Sequence, residues 1–180
     1  MTVPRSDKRP RDEQIQAPIS VGNSGQQRIA IASSNSSSRH LSSATSSPYT
    51  FIATYNAIFI AKALPVFVDT DPETFLLDPT KIEERITDRT TAILPVHIYG
   101  LPCDMDELQF IADEWGVPII EDAAHAVGAK YKGRDIGSIS DFTMFSFQAI
   151  KHITTGDGGM LIIKNKDLVD KAERIRWFGI

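Results

Sequence analysis

Two side chains of this 180-residue sequence stand where reactive chemistry would need them: Asp122 at the end of one apolar run and Lys151 just past the end of another. Val117 to Ile120 is short and apolar and leads into Glu121-Asp122, and Phe142 to Phe147 is a second β-prone run. If both are strands of one open α/β sheet, Asp122 and Lys151 face a single crevice beside the strand ends, where such sheets bind ligands. A lysine packed among Phe145, Phe147 and Ile150 is expected to have a depressed pKa, because burial disfavours the ammonium form. Such an amine is a nucleophile that forms Schiff bases. Pyridoxal phosphate chemistry needs this amine. It also needs a carboxylate that keeps the pyridine nitrogen protonated so that the ring acts as an electron sink, and Asp122 is the available group.

The elements that must position this pair follow a regular pattern from Pro48 onward. Thr50 to Lys62 carries Ile52, Tyr55, Ile58 and Phe59, with Ala63 beyond, close to helical spacing, and Pro65 stops the helix before a strand at Val66 to Val68. Asp78 as N-cap and Pro79 at the first position predict a short helix over Thr80 to Thr87, followed by a strand at Ala92 to Val96. Asp104 and Glu107 read as a capping box before Leu108, Phe110, Ile111 and Trp115, in a helix ended by Gly116. Gly158 to Ile163 is a further strand, and Lys166 to Trp177 a helix with Leu168, Ala172 and Ile175 on one face. This alternation predicts an α/β fold: a mostly parallel sheet with helices on both faces. No G-x-G-x-x-G is present, so a dinucleotide-binding version has no support.

Bulk properties narrow the functional classes. A formal charge of −4 with interspersed signs leaves no footprint for nucleic acid or an anionic membrane. Cys103 is the single cysteine, so no intramolecular disulfide is possible and a cytoplasmic location is the simplest expectation. No apolar run of spanning length and no signal-like h-region near Met1 is visible. Each candidate also has a plainer reading. Asp122 could be a turn or cap residue, Ser146 a strand-end hydroxyl, and Phe51 a core ring. His125 with Glu121 and Asp122 could mimic a metal cluster, but no H-E-x-x-H or Cys-rich spacing supports one, so no metal is expected. His97 and His152 are read as local hydrogen-bonding groups, and Gly156, Gly158 and Gly159 as a tight turn.

The stretches EDAAHAVGAKYKG (from Glu121) and FSFQAIKHITTGDGGM (from Phe145), with PYTFIAT from Pro48, resemble the DegT/StrS family of pyridoxal-phosphate-dependent sugar aminotransferases over about Pro48 to Ile180. The resemblance implies the large domain of the fold type I aminotransferase architecture. It makes Lys151 the Schiff-base lysine, Asp122 the pyridinium partner, Ser146 a phosphate ligand, His125 a ring on one cofactor face and Phe51 an aromatic on the other. It implies an amino-acid donor, commonly glutamate, a keto sugar on a nucleotide as acceptor, and a homodimer. Family members are about twice as long, so the chain is expected to be the cofactor half without the small C-terminal domain. Other readings are a non-catalytic remnant, the family's dehydratase branch, which has His in place of the lysine, and a plain α/β ligand-binding module.

Residues 1 to 47 do not read like the rest. Ser33 to Ser47 holds nine serines in fifteen residues, with Leu41 as its one large apolar group, a composition expected to stay disordered. The family has an Asn-Ser-Gly-Thr turn and an apolar helix in this region, whereas here Asn23-Ser24-Gly25 is followed by Gln26 to Ser47 at about the family's own spacing. That spacing suggests a reading frame shifted and later restored; an ordinary Ser-rich tail is the alternative. The expected organisation is an atypical segment over 1–47 and a partial cofactor-binding domain over 48–180, with the chain as written not competent for turnover.

Overall fold

Parallel pairing dominates the backbone. A computed structural model describes residues 41–176, and every element below lies within them. β1 (Ser43–Ser46) leads into α1 (Ile52–Ile60) and then β2 (Leu64–Phe67) and β3 (Thr90–Leu94). These strands form the order β2-β1-β3, with both pairings parallel. After α2 (Met105–Trp115) come β4 (Ile120–Asp122), a small antiparallel hairpin of β5 (Lys130–Tyr131) and β6 (Arg134–Asp135), β7 (Phe142–Ser146), β8 (Gly159–Ile163) and α3 (Val169–Arg176). β4 and β7 pair in parallel and β8 runs antiparallel along β7. Parallel bridges Ile93–Ile119 and Val96–Asp122 join β3 to β4, which makes the two halves one twisted layer.

Alternation along the strands splits the core between two helices. Ile93 and Ile119 pack with Met105, Leu108 and Ile111 of α2, whereas Ala92, Leu94 and Ile120 pack with Ala57 and Ile58 of α1. Successive strand residues point to opposite faces, so each face needs its own cover, and each fully buried Ile or Leu stabilises the fold by about 1.5–3 kcal/mol. The predicted α/β layering with helices on both faces is therefore present. No helix among the described residues is long and apolar enough to cross a membrane.

Several boundaries differ from the sequence reading. The 1–47 segment was expected to lack order, yet its last residues form β1 between β2 and β3, all four of them buried. Small hydroxyl residues suit that slot, because Thr45 Oγ1 and Ser46 Oγ donate to the carbonyls of Ala92 and Leu94, at 3.3 and 2.8 Å. The Asn23-Ser24-Gly25 turn and the stretch from Gln26 to His40 lie outside the described residues. Over Thr80–Thr87 only one 3-10 turn, Pro79–Lys81, is helical; Asp78 caps it as predicted, accepting from the Thr80 N–H at 3.0 Å. Irregular turns carry the chain onward and still bury Ile82 and Ile86. The capping box does not form: the Asp104 carboxylate accepts the Tyr131 hydroxyl at 2.5 Å instead of a helix N–H. Gly116 ends α2 as expected, at φ 63°, a left-handed conformation that glycine adopts without a Cβ penalty. The last helix begins later than the predicted Lys166, with a 3-10 turn at Lys166–Leu168 before α3, and its predicted end at Trp177 lies outside the described residues.

Candidate active site

The C-terminal ends of β4 and β7 lie side by side, and this register places the acid. Asp122 pairs with Met144, its N–H donates to the Pro95 carbonyl at 2.8 Å, and its own carbonyl accepts from His97 N–H at 3.0 Å. The backbone of Asp122 is thus held by β3 on one side and β7 on the other. Its side chain, 6% exposed, has a donor on each oxygen: Thr54 Oγ1 at 2.7 Å from Oδ2 and the Ala124 N–H at 3.1 Å from Oδ1.

Beneath it, Glu121 points to the opposite face into full burial. It accepts from His97 Nε2 at 2.8 Å, Thr143 Oγ1 at 2.8 Å and the Ser140 N–H at 3.3 Å. His97 Nδ1 accepts the Cys103 N–H at 3.1 Å, which leaves the proton of the neutral ring on Nε2. Burial pushes the Glu121 carboxyl up, but the bonds from His97, Thr143 and Ser140 outweigh it and hold the group below its usual range. The local hydrogen-bonding role expected for His97 is met, in a buried network that joins the segment after β3 to β4 and β7.

Lys151 reaches the same cavity by a turn after β7. Its N–H bonds to the Gln148 carbonyl at 2.8 Å, and Phe147 N–H to the Gly158 carbonyl at 2.8 Å folds the loop back toward β8. Gly156 has φ +83°, and a Cβ on Gly158 would come within 2.3 Å of Thr155 Oγ1, so these glycines make the tight turn anticipated from sequence. Burial lowers the Lys151 pKa, and the Asp122 charge offsets part of that effect. The packing differs from the expectation in two respects. Ile150 is 84% exposed and lies on the cavity rim, and Phe145 belongs to the core cluster on the α2 face.

All five residues singled out from sequence, Phe51, Asp122, His125, Ser146 and Lys151, line one cavity of about 470 Å³. Ser146 is buried at the end of β7, its Oγ accepting the Gln148 N–H at 3.4 Å. Phe51, the N-cap residue of α1, is exposed along the wall. His125 Nδ1 accepts the Tyr99 N–H at 3.4 Å, and the two rings lie 9° from parallel with centroids 6.1 Å apart. Burial lowers the His125 pKa and the Lys151 charge lowers it further, with Asp122 opposing. Tyr99 holds this position from a left-handed backbone at φ 52°. Thr54 was not singled out from sequence, although Thr50 and Thr54 stand four apart, the spacing that puts two hydroxyls on one side of a helix start.

The sequence model described as the DegT/DnrJ/EryC1/StrS aminotransferase family matches residues 24–180, starting upstream of the Pro48 boundary expected for the resemblance. GDP-perosamine synthase of Caulobacter vibrioides is 48% identical over 131 residues, which are 73% of this chain and 35% of that protein. The spore coat polysaccharide biosynthesis protein SpsC of Bacillus subtilis is 47% identical over 134 residues, 74% of this chain and 34% of that protein. Among solved structures, DesI in the presence of its TDP-sugar product superposes with a TM-score of 0.73 at 38% identity, covering 78% of this chain and 36% of DesI. The chain spans about a third of the length of these relatives. The motifs around Asp122 and Lys151, the parallel sheet and a match reaching from residue 24 to residue 180 agree, and the chain belongs to the DegT/DnrJ/EryC1/StrS aminotransferase family.

Proposed function

We propose that this chain is the cofactor-binding portion of a pyridoxal-phosphate-dependent aminotransferase acting on a nucleotide-linked keto sugar. The observation that carries the reading is the convergence of a desolvated lysine and a doubly hydrogen-bonded aspartate on one cavity. The residues present fit the cofactor: a cavity of about 470 Å³ falls in the usual range for small-molecule sites and offers an amine, a carboxylate, a hydroxyl and two flat rings. When bound, pyridoxal phosphate supplies an electron sink for charge developing at the carbon attached to the amine.

Lys151 Nζ is the amine that would take the cofactor's aldehyde, and burial favours the uncharged form that this needs. Once released, the same amine is the group able to take a proton from the donor's α-carbon and return it, so one side chain has covalent and acid–base roles. Asp122 would face the ring nitrogen and stabilise its positive charge electrostatically. The Ser146 hydroxyl, accepting from Gln148 N–H, keeps its own proton for a phosphate oxygen. His125 and Phe51 would cover the two ring faces. The amino donor in this reading is an amino acid such as glutamate, and the complete enzyme is expected to be a homodimer. The names of two relatives support a nucleotide-linked sugar: one is a GDP-perosamine synthase and the DesI structure holds a TDP-sugar product.

The test is to incubate the chain with pyridoxal 5'-phosphate, reduce with borohydride and map the labelled peptide. The label is expected on Lys151 and should vanish in Lys151→Ala. A label on Lys62, Lys130 or Lys132 with none on Lys151 would overturn the assignment.

A further inference from the structure

The acid of the site is held by a chain of two hydroxyls from another element. Thr54 Oγ1, 4% exposed and on the cavity wall, lies 2.7 Å from Asp122 Oδ2, and Thr50 Oγ1 lies 3.0 Å from Thr54 Oγ1. A carboxylate accepts and does not donate, so the Thr54 proton goes to Asp122, and the Thr50 hydroxyl must supply the proton between the two threonines. The direction Thr50 to Thr54 to Asp122 is therefore fixed. With the Ala124 N–H on Oδ1, both oxygens are tied and the plane of the carboxylate is set from outside its own strand. We propose that Thr54 is a positioning residue for Asp122: its hydroxyl, oriented by Thr50, aims the carboxylate at the position the ring nitrogen would take.

This inference rests on the aminotransferase reading, and its test separates the two. Ring-¹⁵N pyridoxal 5'-phosphate is bound to the chain, and the ring-nitrogen chemical shift is followed against pH in the parent, Thr54→Val and Thr54→Ser. Valine keeps the branched shape and removes the donor; serine keeps the donor. Lost aim weakens the contact with the carboxylate, so the ring-nitrogen midpoint in Thr54→Val should fall by about one pH unit, a tenfold loss of protonation, while Thr54→Ser stays with the parent. An unchanged midpoint overturns the proposal. A raised midpoint does so as well, because a hydroxyl that merely withdrew charge from Asp122 would act in that direction. If the parent forms no adduct at Lys151, the aminotransferase reading fails, and the relay is judged in the cofactor-free protein by its Thr54 hydroxyl proton. That resonance should exchange slowly, and Thr50→Ala should accelerate its exchange; a fast-exchanging hydroxyl in the parent refutes the relay.

Discussion

Removing the Glu121 carboxylate tests the frame on which Asp122 rests. In Glu121→Ala the Nε2–H of His97, the hydroxyl of Thr143 and the N–H of Ser140 all lose their acceptor in a site that is fully buried. His97 cannot adapt by moving its proton to Nδ1, since Nδ1 already accepts the Cys103 N–H. Each buried donor left unpaired costs about 1–3 kcal/mol, and breaking buried networks of this kind typically costs about 3–5 kcal/mol in total. Against the 5–15 kcal/mol typical of a whole domain, such a loss is severe. Glu121→Gln keeps the volume but sets its NH₂ against at least one donor, for a smaller loss of about 1–3 kcal/mol. Denaturant unfolding at neutral pH measures both variants, with the order parent, Gln, Ala.

The pH dependence adds a sign. The folded Glu121 carboxyl lies below its usual range, so its stabilisation is complete above the ordinary glutamate value of about 4.3 and fades as pH falls through the folded value. The gap between parent and Glu121→Ala should be widest near neutrality and narrow in acid. An alanine variant within about 0.5 kcal/mol of the parent at pH 7 would falsify the reasoning, because surface substitutions already produce changes of that size.

Three further outcomes are expected. Lys151, whose pKa is lowered by burial, should react with an amine reagent at lower pH than the side-chain amine of a free lysine derivative added as internal standard; competitive labelling with mass spectrometry checks this, and an identical profile for the two counts against a desolvated amine. Gly137→Ala should destabilise by about 1–3 kcal/mol in thermal or denaturant unfolding, since the position has φ +102° and an added Cβ would lie 2.7 Å from Ile162 Cδ1 and 3.2 Å from Phe145. Burial pushes the Cys103 thiol up to about 12, so a thiol reagent should label it only after unfolding; rapid labelling of the native chain would contradict the packing around it.

Some of this organisation is carried by residue order alone. The apolar run leading into Glu121-Asp122 and the β-prone run Phe142 to Phe147 mark the strands that end at Asp122 and Ser146, Gly116 specifies a helix stop, and the motif residues Asp122, His125, Ser146, Lys151 and Phe51 do come to one cavity. Their convergence was legible because the ends of neighbouring parallel strands form one crevice, whatever the details of packing. Other features depended on partners far away in sequence. Ser43–Ser46 has the composition of a disordered tail, and it is a buried strand because β2 and β3 flank it and β3 carbonyls receive its hydroxyls. Asp104 gives up the capping box to Tyr131, twenty-seven residues away, a competition that local spacing does not record. The His97–Glu121 network and the Thr50–Thr54–Asp122 relay arise where separate elements meet: β3 and β7 flank the two edges of β4, and the start of α1 meets its end. Sequence set which groups are able to donate and accept; the tertiary fold decided which of them meet, because directional hydrogen bonds are made between elements whose registers are fixed only after packing.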